Sequence, residues 1–312
     1  MRGSIHASVW GSGMTEAYVP AFVEVAGPSS QTLLRRRIFG HKGLLIGATL
    51  LMIIVLMALF APLIAPYDPY AQDLTRRLLP PIWHEKGTWA HALGTDNLGR
   101  DYLSRMIYGA RISLLIGIAV MVISGLIGST LGLAAGYFGG RVDLAITFFI
   151  TVRLAMPLIL VALAVVAIVG GSLWVVIMVL GLLKWDRFAV VMRAATQQVR
   201  SLDYVAAAEA SGASTARIII GEVLPNVMPQ LIVVASVEAA SAILLEAALS
   251  FLGLGVQPPL PSWGLMIAEA KAYMFFSFWL IAIPGSALAL LVLAINMLGD
   301  GIRDVSSPSG RN

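Results

Sequence analysis

Tyr204-Val-Ala-Ala-Ala-Glu-Ala-Ser-Gly-Ala-Ser-Thr-Ala-Arg-Ile-Ile-Ile-Gly-Glu-Val-Leu-Pro225 is an Ala-rich, amphiphilic island between long apolar runs. A segment that only had to rest in lipid would not need this composition, whereas one gripped by something soluble would. Around it, 58% of the 312 residues are hydrophobic and only 12% are charged. Soluble domains carry about twice that charged share, so the chain is an integral membrane protein of the all-α class. The net charge of +4 is spread among loops and gives no basis for a nucleic-acid partner. With no cysteine, disulfides, thiolate metal sites and thiol catalysis are excluded.

Outward from the island, six runs approach or exceed the roughly 20 residues that cross a bilayer as a helix. They cover about 43–65, 111–136, 144–169, 172–192, 229–250 and 277–298. Arg35, Arg36, Arg37 and Lys42 precede the first run, which favours a cytosolic N-terminus. Six crossings then return the C-terminus to the cytosol and leave 67–110 and 251–276 outside. The division expected is a leader or disordered cytosolic tail at 1–34, a first helix with its external segment at 35–110, a transmembrane domain at 111–300 and a tail at 301–312. Residues 1–13 read either as an expression leader, with Met14 the natural start, or as a genuine cytosolic tail.

Within the second run, Ser124, Gly128, Gly132 and Gly136 recur every four residues, a ridge that lets another helix approach closely. Lys184, Asp186 and Arg187 close the fourth run and are expected at the cytosolic headgroup level with Trp185. Between the fourth and fifth runs, at 201–228, Ser201 can cap a helix that carries Asp203 in its first turn. Ala206, Ala207 and Ala208 are strong helix formers, and Gly212 supplies a natural stop. Ser214 can cap a second short helix, expected to finish near Leu224 because Pro225 restricts the residue before it. The object expected is a helix–turn–helix at the membrane face.

This segment resembles the EAA loop of ABC-importer permeases, whose pattern is E-A-A-x-x-x-G followed ten residues later by I-x-L-P. The corresponding residues are Ala206-Ala207-Ala208, Gly212 and Glu222-Val223-Leu224-Pro225, with Ala206 in place of the acid and Glu222 in place of the Ile. Three more islands follow the same family in order: 91–113, 246–264 and 298–304. Together they resemble the C-type permease of dipeptide and oligopeptide importers over about 35–305, most closely the dipeptide-type subunit. The resemblance implies a multi-pass subunit of a bacterial inner membrane with a type I importer fold. It also implies a second, non-identical permease subunit, two ATP-binding subunits that hold ATP and Mg, an external substrate-binding protein, and alternating access. Ala206, Ala207, Ala208, Gly212, Leu224 and Pro225 then become the ATPase-coupling residues. Relatives of this kind serve dipeptides, longer peptides, glutathione, opines and nickel chelates.

Glu238 and Glu246 lie eight residues apart on the fifth run and are the candidate pore-lining residues. Two readings stand: they line the path and meet a peptide's amino group, or Glu246 lies near the outer boundary and Glu238 bonds a neighbouring helix. In the first external segment, Asp96, Arg100, Asp101 and Arg105 with Gly94, Gly99 and Gly109 describe a tight turn. That turn either receives a binding protein or is a staple of local salt bridges, with His91 a hydrogen-bonding loop residue. No G-x-x-x-x-G-K-[ST] string occurs, and no catalytic or metal-ligating cluster stands out, so ATP-driven transport would need a separate ATPase chain. The alternative from another class is an ion-coupled carrier using Glu238 and Glu246. Such a carrier often shows an internal repeat and charge-bearing broken helices, and the sequence shows neither clearly.

Overall fold

The computed structural model describes residues 37–306. The expected leader, Arg35, Arg36 and the last six residues lie outside them. Ten helices of eight residues or more organise the described chain: α1 Lys42–Leu59, α2 Tyr102–Phe138, α3 Gly140–Ala155, α4 Leu158–Val169, α5 Leu173–Leu183, α6 Trp185–Arg200, α7 Asp203–Ala210, α8 Thr215–Phe251, α9 Trp263–Ala270 and α10 Trp279–Ser306. No strand occurs among the described residues; the sole β feature is a bridge between Thr95 and Asp101.

Helix α2 is the axis. Its small-residue ridge receives α6 so closely that a Cβ on Gly132 would meet the Ala189 carbonyl at 2.6 Å, and one on Gly136 the Thr196 Cβ at 2.6 Å. On other faces, Gly117 accommodates Ile243 of α8, and Gly109 accommodates the fully buried Trp263 of α9. Trp263 is fixed further by its indole N–H, which donates to the Met106 carbonyl at 2.9 Å. Helix α1 lies against α10 through Gly47 and Gly301, each too tight for a side chain. Small residues thus set the helix spacing where lipid removes the hydrophobic drive.

Among the described residues, four helices are long and apolar enough to cross a membrane, or five if the bent pair α3–α4 counts as one. The pair departs from the straight span expected over 144–169. Pro157 has no N–H to donate and pushes Met156 into extended backbone, so the chain turns by 81° between α3 and α4. The expected fourth span also divides. Helix α5 has 11 residues, about 16 Å of rise and roughly half the hydrocarbon thickness, and the helix breaks at Lys184 before α6 resumes.

Helix starts differ from the hydropathy boundaries as well. α2 begins nine residues before the expected 111, because Asp101 caps it by accepting from the Ser104 N–H at 2.8 Å. α10 runs six residues into the segment expected as tail. The segment 251–276 contains α9 rather than loop alone.

The larger correction concerns Pro225. The second cytosolic helix does not finish at Leu224 but runs on into the fifth span as a single 37-residue helix. Residues Ile219–Val223 form a wider π-type turn just before the proline. That turn reroutes the backbone hydrogen bonds where the ring would otherwise clash one turn back. Pro225 then sits in the first turn of the next α segment, where a missing N–H matters least.

Candidate functional site

Two features stand out: the surface around α7, and a cavity between α3, α6, α8 and α10. Helix α7 starts after Leu202, and Ser201 does not cap it as expected. Instead the Ser201 hydroxyl turns back and donates to the Gln198 carbonyl at 2.8 Å. Asp203 does occupy the first turn. Val205 is the buried anchor of the helix, while Ala206 and Ala207 are exposed and Ala208 is half-buried.

Gly212 ends α7 at φ +75°, a left-handed conformation that a side chain would strain. Around it the Ala213 N–H bonds the Ala208 carbonyl at 3.1 Å, the six-to-one closure of a Schellman turn. Ser214 then accepts from the Arg217 N–H at 3.4 Å and starts α8. Leu224 is half-buried and Pro225 exposed.

Beneath this turn lies a cluster that includes Met192, Val205, Ile218, Val223 and Val227. Polar contacts tie it to the spans: the Tyr137 hydroxyl donates to Glu209 at 3.3 Å, and the Arg200 guanidinium lies 5.4 Å from the Tyr137 ring centre. Arg193 of α6 forms a two-pronged pair with Asp143 of α3, with Nη2 donating to Oδ2 at 2.7 Å. The surface therefore presents small, accessible residues on a backing joined to α2, α6 and α8.

The cavity has a volume of 640 Å³, and its wall follows α8 from Pro229 to Glu238, about 13 Å along the axis. Val190 and Arg187 come from α6, and Arg303 from α10. Glu238 is 1% exposed and lies between two cations. Lys184 Nζ is 2.6 Å from its Oε2, and Arg187 Nε is 3.5 Å from its Oε1. These contacts are ionic; the directed hydrogen bond of Lys184 goes to the Ser241 hydroxyl at 2.9 Å.

Lys184 and Asp186 are thus buried in protein, and of that triplet only Arg187 reaches an accessible space. The break between α5 and α6 is what brings Lys184 inward onto α8. Glu246 sits apart from the cavity wall. It is completely buried and accepts from the Ser250 hydroxyl at 2.7 Å and the Ser262 hydroxyl at 2.9 Å, joining α8 to the start of α9.

In the segment before α2, Asp96 pairs with Arg100 at 2.6 Å and with Arg105. The staple is not purely local, since Glu269 of α9 meets Arg100 at 3.2 Å and Arg105 at 2.8 Å. His91 bonds Asp101 at 2.9 Å, as a hydrogen-bonding loop residue should. Glu269 and the cavity position of Arg303 were not distinguished by sequence reasoning, nor was the partner of Lys184. Lys184 did carry a signal, as a lone cation ending an apolar run, but its partner was 54 residues away.

Comparison with known proteins decides the family. Residues 128–312 match the model of the binding-protein-dependent transport system inner membrane component, and residues 32–81 match the N-terminal TM domain of oligopeptide transport permease C. The chain belongs to this inner-membrane transport family. It is 46% identical over 275 residues to the di/tripeptide transport system permease protein DppC of Pseudomonas aeruginosa, covering 88% of this chain and 91% of that one. It is 41% identical over 268 residues to the dipeptide transport system permease protein DppC of Haemophilus influenzae, covering 86% and 91%. Among solved structures, an inward-facing form of the MetNI methionine ABC transporter shares the fold with a TM-score of 0.55 at 17% identity, covering 65% of this chain and 97% of that one. This family member is accordingly a multi-pass membrane protein of the bacterial inner membrane.

Proposed function

We propose that the chain is a transmembrane permease subunit of an ATP-driven importer for dipeptides and oligopeptides, forming half of a translocation pore. The observation that carries the reading is its 46% identity, over nearly its full length, to a di/tripeptide permease. Six crossings with both termini cytosolic fit the helices if α3–α4 and α5–α6 each make one bent crossing. In this reading a second, non-identical permease chain completes the pore. Two ATP-binding chains supply the work, with ATP and Mg bound there, and an external binding protein delivers the peptide.

Ala206, Ala207, Ala208, Gly212, Leu224 and Pro225 are the coupling residues. The exposure of Ala206 and Ala207 and the rigid Schellman turn at Gly212 support that role. Because α8 is continuous through the π-type turn, a push on the α7–α8 corner is delivered along a helix into the membrane rather than across a flexible joint. Glu238 stands at the path. Nickel, glutathione or an opine would alter the cargo and leave this machinery as it is.

Affinity purification of the tagged chain from cells that express its whole transport system tests the assembly. ATP-binding chains and a second permease should co-purify in fixed stoichiometry. A chain that purifies alone and transports unaided would instead be the ion-coupled carrier.

A further inference from the structure

We infer that the cavity walled by Arg187, Glu238 and Arg303 is a transient peptide site that takes the carboxylate end of the cargo, with Arg187 as its ligand. The inference rests on the peptide reading above. Among the described residues that line this cavity, two cations, Arg187 and Arg303, stand with a single carboxylate, Glu238, which the buried Lys184 already neutralises from behind the wall. Glu238 is already flanked by Lys184 and Arg187 within 3.5 Å, so a peptide ammonium placed there would be the third cation on one anion. The unbalanced charge on the wall is positive and favours an anionic group.

Arg187 is the residue able to reach that group. Its side chain is 66% exposed while its Nε stays anchored near Glu238, which leaves the Nη atoms free for a two-pronged grip on a carboxylate. Val190, Val233 and Val237 line the same space and offer an apolar wall for peptide side chains. The 640 Å³ volume suits a small ligand, and the run of about 13 Å along α8 exceeds the ~7 Å of an extended dipeptide.

This chain has no cysteine of its own, so labelling read on the separated subunit reports a single introduced thiol. Val190→Cys places one thiol at an exposed wall position one turn from Arg187. In the nucleotide-free complex, without binding protein, its labelling by a neutral maleimide is followed with millimolar alanyl-phenylalanine or its C-terminal amide. The free peptide should slow labelling at least about tenfold more effectively than the amide, the margin of one charge-assisted contact. Adding Arg187→Gln should erase the difference, and Arg187→Lys should restore part of it. Equal protection by both peptides, or none by either, would overturn the inference, as would a difference that survives Arg187→Gln. A thiol that stays unreactive in the assembled complex with or without peptide would show the groove filled by the partner permease and would also overturn it. Peptide uptake by the same complex in proteoliposomes, now supplied with ATP and the binding protein, separates the two readings: no uptake refutes the importer function itself, whereas uptake with unprotected thiols refutes only this site.

Discussion

Lys184 occupies the one residue between α5 and α6, where the helix opens and its ammonium can turn onto Glu238. Both groups are nearly inaccessible, so neither can exchange its partner for water. Removing Lys184 leaves the buried Glu238 with only the longer, largely exposed Arg187 contact and costs up to about 3–5 kcal/mol, while removing both partners costs far less. Lys184→Ala should therefore lower the melting temperature of the purified complex sharply, and Lys184→Met with Glu238→Leu should recover most of it. Equal melting of Lys184→Ala and wild type would show that the pair carries no such load. The sequence displayed both charges, but hydropathy alone assigned the cation to the membrane boundary. A one-residue helix break with a partner on another span cannot be seen from local spacing. Glu246 shows the same limit, because the Ser262 that satisfies it lies beyond the end of its own helix.

At the level of elements, the small-residue ridge of α2 was legible because its spacing is itself the physical cause of close packing. Gly128, Gly132 and Gly136 all meet α6 backbone or Cβ atoms. The α7 helix and its Gly212 stop were legible for a similar reason, since a local turn motif needs only local residues. The two prolines act in opposite ways. Pro157, inside an apolar run, bends its span by 81°. Pro225, taken as a terminator, is absorbed by the π-type turn before it. Hydropathy reports burial in lipid and is silent about how backbone hydrogen bonds are rerouted. From this geometry, Gly212→Pro should detach ATP hydrolysis from uptake, because proline fixes φ near −65° where the turn holds +75°. Coupling energies of about 0.5–2 kcal/mol correspond to a fall of about twofold to thirtyfold in peptide imported per ATP hydrolysed. Ala207→Trp, placed on the exposed face, should act in the same direction by spoiling the close approach of a docked partner. Unchanged ratios in both normally assembled variants would remove α7 from the coupling path.

For the molecule as a whole, one continuous helix, α8, joins the exposed α7 surface to the cavity. Helix α8 starts at the Ser214 cap beside Gly212, passes through the π-type turn, and carries Glu238 on the cavity wall and Glu246 against α9. In the proposed function, work received at the surface passes along this helix toward the cavity and the clasp formed by Asp96 and Arg100 before α2, Arg105 in its first turn and Glu269 on α9. Most of this arrangement follows from segments visible in the sequence; their continuity does not. The central claim is that the chain imports peptide with work received from ATP-binding partners. The most direct measurement is uptake of labelled dipeptide into proteoliposomes holding the assembled complex with its binding protein, with ATP inside or outside and with imposed proton and sodium gradients. Uptake should require both ATP on the face exposing α7 and the binding protein, and should be indifferent to either gradient. Gradient-driven uptake by the chain alone, without ATP, would contradict the account.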